Sequence, residues 1–321
     1  MLRMPLHGQT GYIPNELTKS VSSFEKKSYF CQSIKPKTYM KNVLVIHYSQ
    51  SGQLESIAQN IAKPFLNSEE IKVSFHKIQV EKPFPFPWNK DSFFDAFPES
   101  FLQIPTALKP VPEEILNTKY DLILFHYQVW YLSPSIPINS FLKSEEGKKI
   151  VNNTPVITIS GSRNMWIMAQ EKIKALLKEA NAQLVGNVAL VDRVGNLISV
   201  ITIVEWMFTG VKKKYLGIFP LPGVSEKDIQ ESDQFGEIML SEFNQNNFTE
   251  LQSKLVANGA VKISPYLVTV DKTANKIFNK WSTLIYKKHK KRKQLLKVFY
   301  VYLFLAIWLI SPIVYILHLI T

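Results

Sequence analysis

The sequence predicts an α/β protein: an open, doubly wound, five-stranded parallel sheet of order 2-1-3-4-5, with inserts and one C-terminal transmembrane helix. Three observations predict it. Short apolar runs alternate with helical periodicity from residue 41 to about residue 250, as in a parallel sheet covered on both faces. A Ser/Gly turn follows the first run and an aromatic segment follows the third, at the edge where doubly wound sheets take their ligands. Residues 298–320 carry no Asp, Glu, Lys or Arg.

The elements follow in order. KNVLVIHY (Lys41–Tyr48) is nearly continuous and apolar, as a buried parallel strand should be. Leu54–Leu66 reads as a helix, with Ile57, Ile61 and Phe65 at four-residue spacing. Ile71–Val80 is a second strand. Residues 82–112 form an insert with seven prolines, which speak against a regular helix or central strand there. Asp121–His126 (DLILFH) is the third strand, Pro137–Lys143 a short helix, and Pro155–Ser160 (PVITIS) the fourth strand. In Met165–Ala180 the residues Met168, Ile173, Leu176 and Leu177 line one side of a helix. Gln183–Leu190 is the fifth strand. Ser225 opens a helix with a capping-box-like S-E-K-D, running to about Asn244. No fixed-period repeat appears.

Residues 298–320 are 23 residues long. At about 1.5 Å per residue such a helix crosses the roughly 30 Å hydrocarbon layer, with Pro312 a point of kinking. The basic run 287–297 precedes it, so the positive-inside rule places the body in the cytoplasm and the chain end across the membrane. Residues 1–39 lack periodicity and the apolar core of a secretory signal; they read as a disordered extension or a misassigned start before Met40. The expected organisation is therefore an extension (1–39), a ligand-binding α/β domain (40–250), a basic connecting segment (251–297) and a transmembrane helix (298–320).

The formal charge of +12 does not point to nucleic acid. The excess sits in the first 40 residues and in 287–297, leaving 41–280 close to neutral, with little electrostatic reason to bind a phosphate backbone. Basic residues beside an apolar span suit anionic lipid headgroups instead. With Cys31 the single cysteine, the chain has neither an internal disulfide nor a cysteine-based metal site, and no metal site is expected.

Ser49-Gln50-Ser51-Gly52-Gln53 joins the first strand to the first helix. Backbone N–H groups at a helix start can surround a phosphate, with Ser hydroxyls adding donors; the bland alternative is an ordinary strand–helix turn. After the third strand, Gln128, Val129, Trp130 and Tyr131 either cover a flat heteroaromatic ring or fill the hydrophobic seam. Ser160-Gly161-Ser162-Arg163-Asn164 lies on the same edge, where Arg163 can stabilise an anion. His47 and His126, at the ends of neighbouring strands, are candidate proton-transfer groups, although alternation turns His47 towards a helix-packed face. Asp192 with Arg193, and Glu205 inside the apolar run Leu197–Phe208, are weaker candidates. That run either lines a lipid-facing pocket or dips into the membrane interface, with Lys212–Lys214 at headgroups; otherwise it is a further core element. Met165 and Trp166 read as packing.

These motifs resemble known ones. YSQSGQ resembles the FMN phosphate loop of flavodoxins, and YQVWYLSPSIP the flavin-covering loop of the flavodoxin and NAD(P)H:quinone oxidoreductase group. Leu54 stands where the first pattern carries a hydroxyl, Gln128 replaces a common Pro, and Leu132-Ser133 replace Gly-Gly. More narrowly, HYSQSGQL, FPFPW with DAFPES, YQVWYLSPSIP, SRNMWIMAQEKIKALL, LPGVSE and the hydrophobic tail resemble the dialkylresorcinol condensing enzyme family of resorcinol-lipid and pigment biosynthesis.

The resemblance implies a flavodoxin-like fold, FMN as cofactor, a hydrophobic dialkyl ring substrate and a membrane setting. The family name implies condensation, but a thioester condensing enzyme needs a cysteine nucleophile, and nothing after Cys31 supplies one. The expected step is aromatisation of a dialkylcyclohexanedione made by a ketosynthase-type partner. Two alternatives stand beside it: a membrane-anchored NAD(P)H:quinone oxidoreductase, and a non-enzymatic scaffold of a biosynthetic complex.

Overall fold

The structure, a computed structural model, describes residues 40–320, with side chains to 315. The expectation for residues 1–39 lies outside the described residues. The strands are β1 (Lys41–His47), β2 (Ile71–Lys77), β3 (Leu122–Trp130), β4 (Ser133–Pro134), β5 (Pro155–Ser162) and β6 (Gln183–Val191). The helices are α1 (Gln53–Leu66), α2 (Lys90–Asp95), α3 (Phe97–Leu102), α4 (Glu113–Leu116), α5 (Ile136–Lys143), α6 (Glu145–Val151), α7 (Ile167–Glu179), α8 (Asn196–Thr209), α9 (Glu226–Gln230), α10 (Asp233–Asn244), α11 (Leu251–Ala257), α12 (Pro265–Lys287), α13 (Arg292–Leu305) and α14 (Ser311–Ile320).

Five parallel strands run in the order β2-β1-β3-β5-β6. The expected order 2-1-3-4-5 is corrected in one respect. The sheet has six strands, because the two-residue β4 folds back antiparallel on the end of β3, pairing Trp130 with Ser133. Alternation assigns each strand residue to a face. Val43, Val45, Leu122, Leu124, Ile157 and Ile159 pack under α1, α10 and α11. Leu44, Ile46, Ile123, Phe125 and Tyr127 pack under α5 and α7 on the other side.

Several boundaries differ from the sequence reading for local reasons. β3 continues past His126 because Tyr127 and Gln128 pair in register with Ser160 and Gly161. The strand that begins at Pro155 therefore runs two residues past Ser160, and Gly161 and Ser162 belong to it. The insert 82–112 carries two short helices despite its prolines: Asn89 Oδ1 accepts from Ser92 N at 2.9 Å to open α2, and Pro98 sits in the first turn of α3, where a missing N–H costs nothing. Ser225 caps α9 through Asp228 N at 3.0 Å. The helix breaks before Asn244, however, as the Ser232 hydroxyl donates back to Ile229 O at 2.6 Å and α10 starts afresh.

Residues 251–297, expected as a basic connecting segment, hold α11 and the 23-residue α12. α12 and the long C-terminal helix form an antiparallel pair: Trp281 meets Phe299 and Tyr302, and Tyr266 meets Tyr315 edge-on at 5.3 Å. His289–Tyr315 is one helix long and apolar enough to cross a membrane, with a mean hydropathy of 2.1 over its most apolar 18 residues. A π turn at Ala306–Ile310 precedes Pro312; widening the helix there relieves the clash of the proline ring with the carbonyl one turn back.

Candidate functional site

A cavity of about 1240 Å³ opens at the C-terminal edge of the sheet, larger than the usual small-molecule pocket of roughly 300–1,000 Å³. Its floor is the loop after β1 with the ends of β3 and β5, and its roof is α8. The insert forms one wall through Phe86, Trp88 and Phe93, and α12 with the C-terminal helix forms the other. The floor lies where strand order reverses between β1 and β3, the switch point at which doubly wound sheets bind ligands.

Gly52 adopts the left-handed conformation (φ 87°) just before α1, with open space around it. That geometry delivers the first N–H groups of α1 to the loop, since a helix start leaves them without intrahelical acceptors. The two glutamines of the loop do other work. Gln50 donates to Phe84 O and Pro85 O, and its Oε1 accepts from the Tyr48 hydroxyl at 2.5 Å. Gln53 clamps the backbone of Val224, donating to its carbonyl and accepting from its N–H, both at 3.0 Å. The Ser49 and Ser51 hydroxyls have no partner among the described residues, and of the two Ser51 lines the cavity. Leu54 is buried and lines the cavity; a Cβ on Gly161 would lie 3.0 Å from Leu54 Cδ1, so an apolar contact stands in place of a hydroxyl.

Several buried polar atoms have no partner among the described residues: Gln128 Nε2, Ser162 Oγ and Trp88 Nε1 on residues that line the cavity, and Ser49 Oγ and Asn164 Oδ1 on neighbours in sequence that do not line it. Unsatisfied buried polar groups cost about 1–3 kcal/mol each, and these cluster on strand ends and the adjoining wall. Such a set suits a polar, planar, phosphate-bearing ligand. Among the described residues no group of three His, Cys, Asp or Glu can hold a metal.

Arg163 lines the cavity and is fixed from α8. Its Nε donates to Ser199 Oγ at 3.2 Å, and one terminal nitrogen donates to Asn196 O and Oδ1 at 3.0 and 2.7 Å. Ser199 in turn donates to the buried Asp192 at 2.7 Å. Burial lowers the guanidinium pKa to about 10, with Asp192 acting against the shift, so Arg163 remains a cation at neutral pH. Asp192 is thus an internal anchor rather than a solvated loop residue. Arg193 pairs outward with Asp228 at 2.7 Å.

The other expected groups divide. Val129, Trp130 and Tyr131 line the cavity, yet both rings are also committed to the insert. Trp130 meets Trp88 and Phe84 edge-on at 5.4 and 5.1 Å, and Tyr131 packs against Phe93 and Phe97 while donating to Phe93 O. Gly161, Ser162 and Met165 line the cavity, whereas Ser160 and Trp166 are buried away from it.

The two histidines do not line it. His47 and His126 pair in register and continue the Val45 and Leu124 face under α1. They are 3% and 0% exposed. Burial lowers His47 to about 4 against the opposing pull of Glu55, with Lys77 and His76 adding to the fall; burial and then His47 lower His126 to about 3. Both are neutral, and their position removes them as proton-transfer groups for anything in the cavity. Among the cavity-lining residues the only carboxylate is Glu205, half-buried on α8. Its signal in the sequence was a lone acid in an apolar helix.

No family model matches the chain, and no curated protein matches it. Solved structures similar to it include a flavoprotein in complex with FMN from Lactobacillus acidophilus (17% identity over 47% of this chain and 93% of that one, TM-score 0.37). A flavodoxin from the domain Archaea shares 13% identity over 64% of this chain and 99% of that one, with a TM-score of 0.34. Oxidised flavodoxin 1 from Bacillus cereus shares 15% over 64% and 98%, also at 0.34. At such scores these likenesses carry nothing about ligand or activity. The protein is a doubly wound parallel α/β protein on the ground of its own strand order, with a cavity at the switch point and one apolar C-terminal helix.

Proposed function

We propose that this protein is an FMN-dependent oxidoreductase that aromatises a hydrophobic dialkylcyclohexanedione to a dialkylresorcinol, held at a membrane by its C-terminal helix. One observation carries the reading: a large cavity at the β1/β3 switch point whose floor combines a Ser/Gly loop at a helix start with unpartnered buried donors, and whose walls are apolar. Ser49, Ser51 and the N–H groups after Gly52 would hold the FMN phosphate. Gln128 and Ser162 offer donors to the flavin's polar edge. When bound, FMN supplies a two-electron acceptor for hydride.

The chain's own residues supply the rest. Aromatisation removes one ring hydrogen as a proton and one as a hydride, and enolisation completes the resorcinol. Glu205 is placed to take the proton, since a carboxylate at the cavity wall can act as a general base. Arg163 holds negative charge on the enolate oxygen, in a pocket whose low polarity strengthens the contact. The apolar surface of α8, α12 and the C-terminal helix accommodates the alkyl chains and excludes water. A ketosynthase-type condensing enzyme would supply the dione.

The helix His289–Tyr315 supports a membrane anchor by length and composition; the flanking lysines favour a cytoplasmic body. The test uses full-length protein purified in detergent. Added FMN should remain with the protein through gel filtration, and a dialkylcyclohexane-1,3-dione added without air should bleach the bound flavin while resorcinol forms. Protein that retains no flavin overturns the cofactor assignment. Flavin retained but not bleached by the dione, and reduced by NAD(P)H with quinone as acceptor, overturns the substrate assignment.

A further inference from the structure

The loop that leaves α8 is exposed in a way a soluble surface does not require. Gly210 closes the helix in the left-handed conformation, and Val211–Leu221 follows. Val211, Leu216, Ile218 and Leu221 are 53%, 69%, 81% and 43% exposed. Exposed apolar residues scattered singly are ordinary, but a contiguous set marks an interaction surface.

Leu216 adds a second anomaly. It holds a positive φ of 51°, a strained conformation for a branched residue, without burying its side chain in return. The loop keeps this shape through its own contacts: Phe219 N donates to Tyr215 O at 3.1 Å, and the two rings lie 5.8 Å apart. A folded, strained tip presenting Leu and Ile to solvent awaits an apolar medium.

Charge indicates which medium. Lys212, Lys213 and Lys214 stand at the base of the tip. Lys212 is engaged with Glu226 at 2.5 Å, whereas among the described residues no ion pair engages Lys213 or Lys214. Apolar tips with a lysine collar suit an anionic bilayer interface, the side chains entering the acyl boundary and the ammonium groups meeting headgroups. The loop also lies on the same side of the body as the C-terminal helix, because Tyr215 and residues 300–314 of that helix line one cavity.

We propose that Val211–Leu221 is a second lipid-contacting element, a wedge whose Leu216 and Ile218 enter an anionic bilayer with Lys213 and Lys214 at its headgroups. With the C-terminal helix it makes a two-point attachment that holds the cavity mouth between α8 and the helix against the membrane. The proposal uses the reading of the C-terminal helix as an anchor and is independent of the flavin chemistry.

The experiment places single cysteines in a Cys31→Ser background of the full chain: Ile218→Cys in the loop, Leu309→Cys in the C-terminal helix, and Glu179→Cys as an exposed reference on α7. Each is labelled with a polarity-sensitive fluorophore and reconstituted into phosphatidylcholine vesicles with or without phosphatidylglycerol. The quencher is a lipid carrying nitroxide on its acyl chain. The probe at position 218 should be quenched several-fold more than that at 179, and the excess should fall in pure phosphatidylcholine or when Lys213 and Lys214 are both changed to Gln. Quenching at 218 equal to that at 179, with strong quenching at 309, overturns the wedge and leaves the anchor standing. Loss of quenching at both 218 and 309 overturns both. A probe at 218 shielded from aqueous iodide but not quenched by the lipid shows a protein covering the loop and also overturns the proposal.

Discussion

Two side chains set the chemistry open to the cavity. Arg163 directs its Nε and one terminal nitrogen at α8, and its other terminal nitrogen has no acceptor among the described residues. Replacing it with Gln should lower kcat/KM for dione oxidation by roughly 10²-fold, the scale of losing one charge-stabilising donor, while flavin titration stays near wild type. Glu205→Gln should lower kcat by about 10²–10⁴-fold, again with flavin retained, as stopped-flow bleaching would measure. Equal loss of flavin binding in both variants would mean that these residues hold the site together instead. Position 47 teaches the opposite lesson. A histidine ending a strand near a switch point is an attractive base, yet its parity along β1 turns it under α1.

Between strands and helices, the β3–β4 turn and the α3–α13 contact carry the site's walls. Tyr131 and Leu132 occupy the two central positions of a two-residue hairpin with φ of 50° and 60°. A turn of that kind asks for positive φ at both positions and favours Asn or Gly; here Tyr131 is held by Phe93 and Phe97. Leu132→Asn should therefore raise stability by up to about 1 kcal/mol, since Asn tolerates αL, and Leu132→Val should lower it, since a β-branched side chain is more strained than Leu at positive φ; urea midpoints would show it. At the other wall, Arg292 reaches Asp95 Oδ1 at 2.6 Å and Glu99 at 2.7 and 2.8 Å, beneath a Phe97–Phe299 stack at 4.0 Å. Arg292→Met should free α13 from α3 and cost about 1.5–3 kcal/mol, the range for charged hydrogen bonds. Faster amide exchange across 90–103 would be its signature; unchanged exchange there would show that the aromatic stack suffices.

For the molecule as a whole, acid sensitivity follows from the buried histidines. Their folded pKa values, about 4 for His47 and about 3 for His126, lie below the ordinary 6.5. The unfolded chain therefore takes up protons first as pH falls. Stability is full above about pH 6.5 and drains as pH drops towards 4, by up to about 3 kcal/mol per histidine. The urea midpoint should fall between pH 7 and pH 5, and His126→Leu should flatten that slope. The attachment of the C-terminal helix matters at this scale too. It lies along α12 and closes one side of the cavity, so an apolar chain in the cavity would pack against it.

Apolar runs, helical spacing and the bare stretch 298–320 were enough, read from the sequence alone, to set the parallel α/β class, the loop after β1, and the helix capable of crossing a membrane. Those are local properties: a strand buried on both faces must be apolar throughout, and a span must be long and uncharged. Tertiary structure alone decided the rest. It extended β3 to Trp130, because Gln128 gains a ladder partner in Gly161 more than 30 residues away. It turned both histidines away from the site, and it built the far wall from α12, whose Ile277 and Phe278 had been hidden among lysines. A cavity is a relation between faces that meet only after folding, and no local pattern encodes which faces those are.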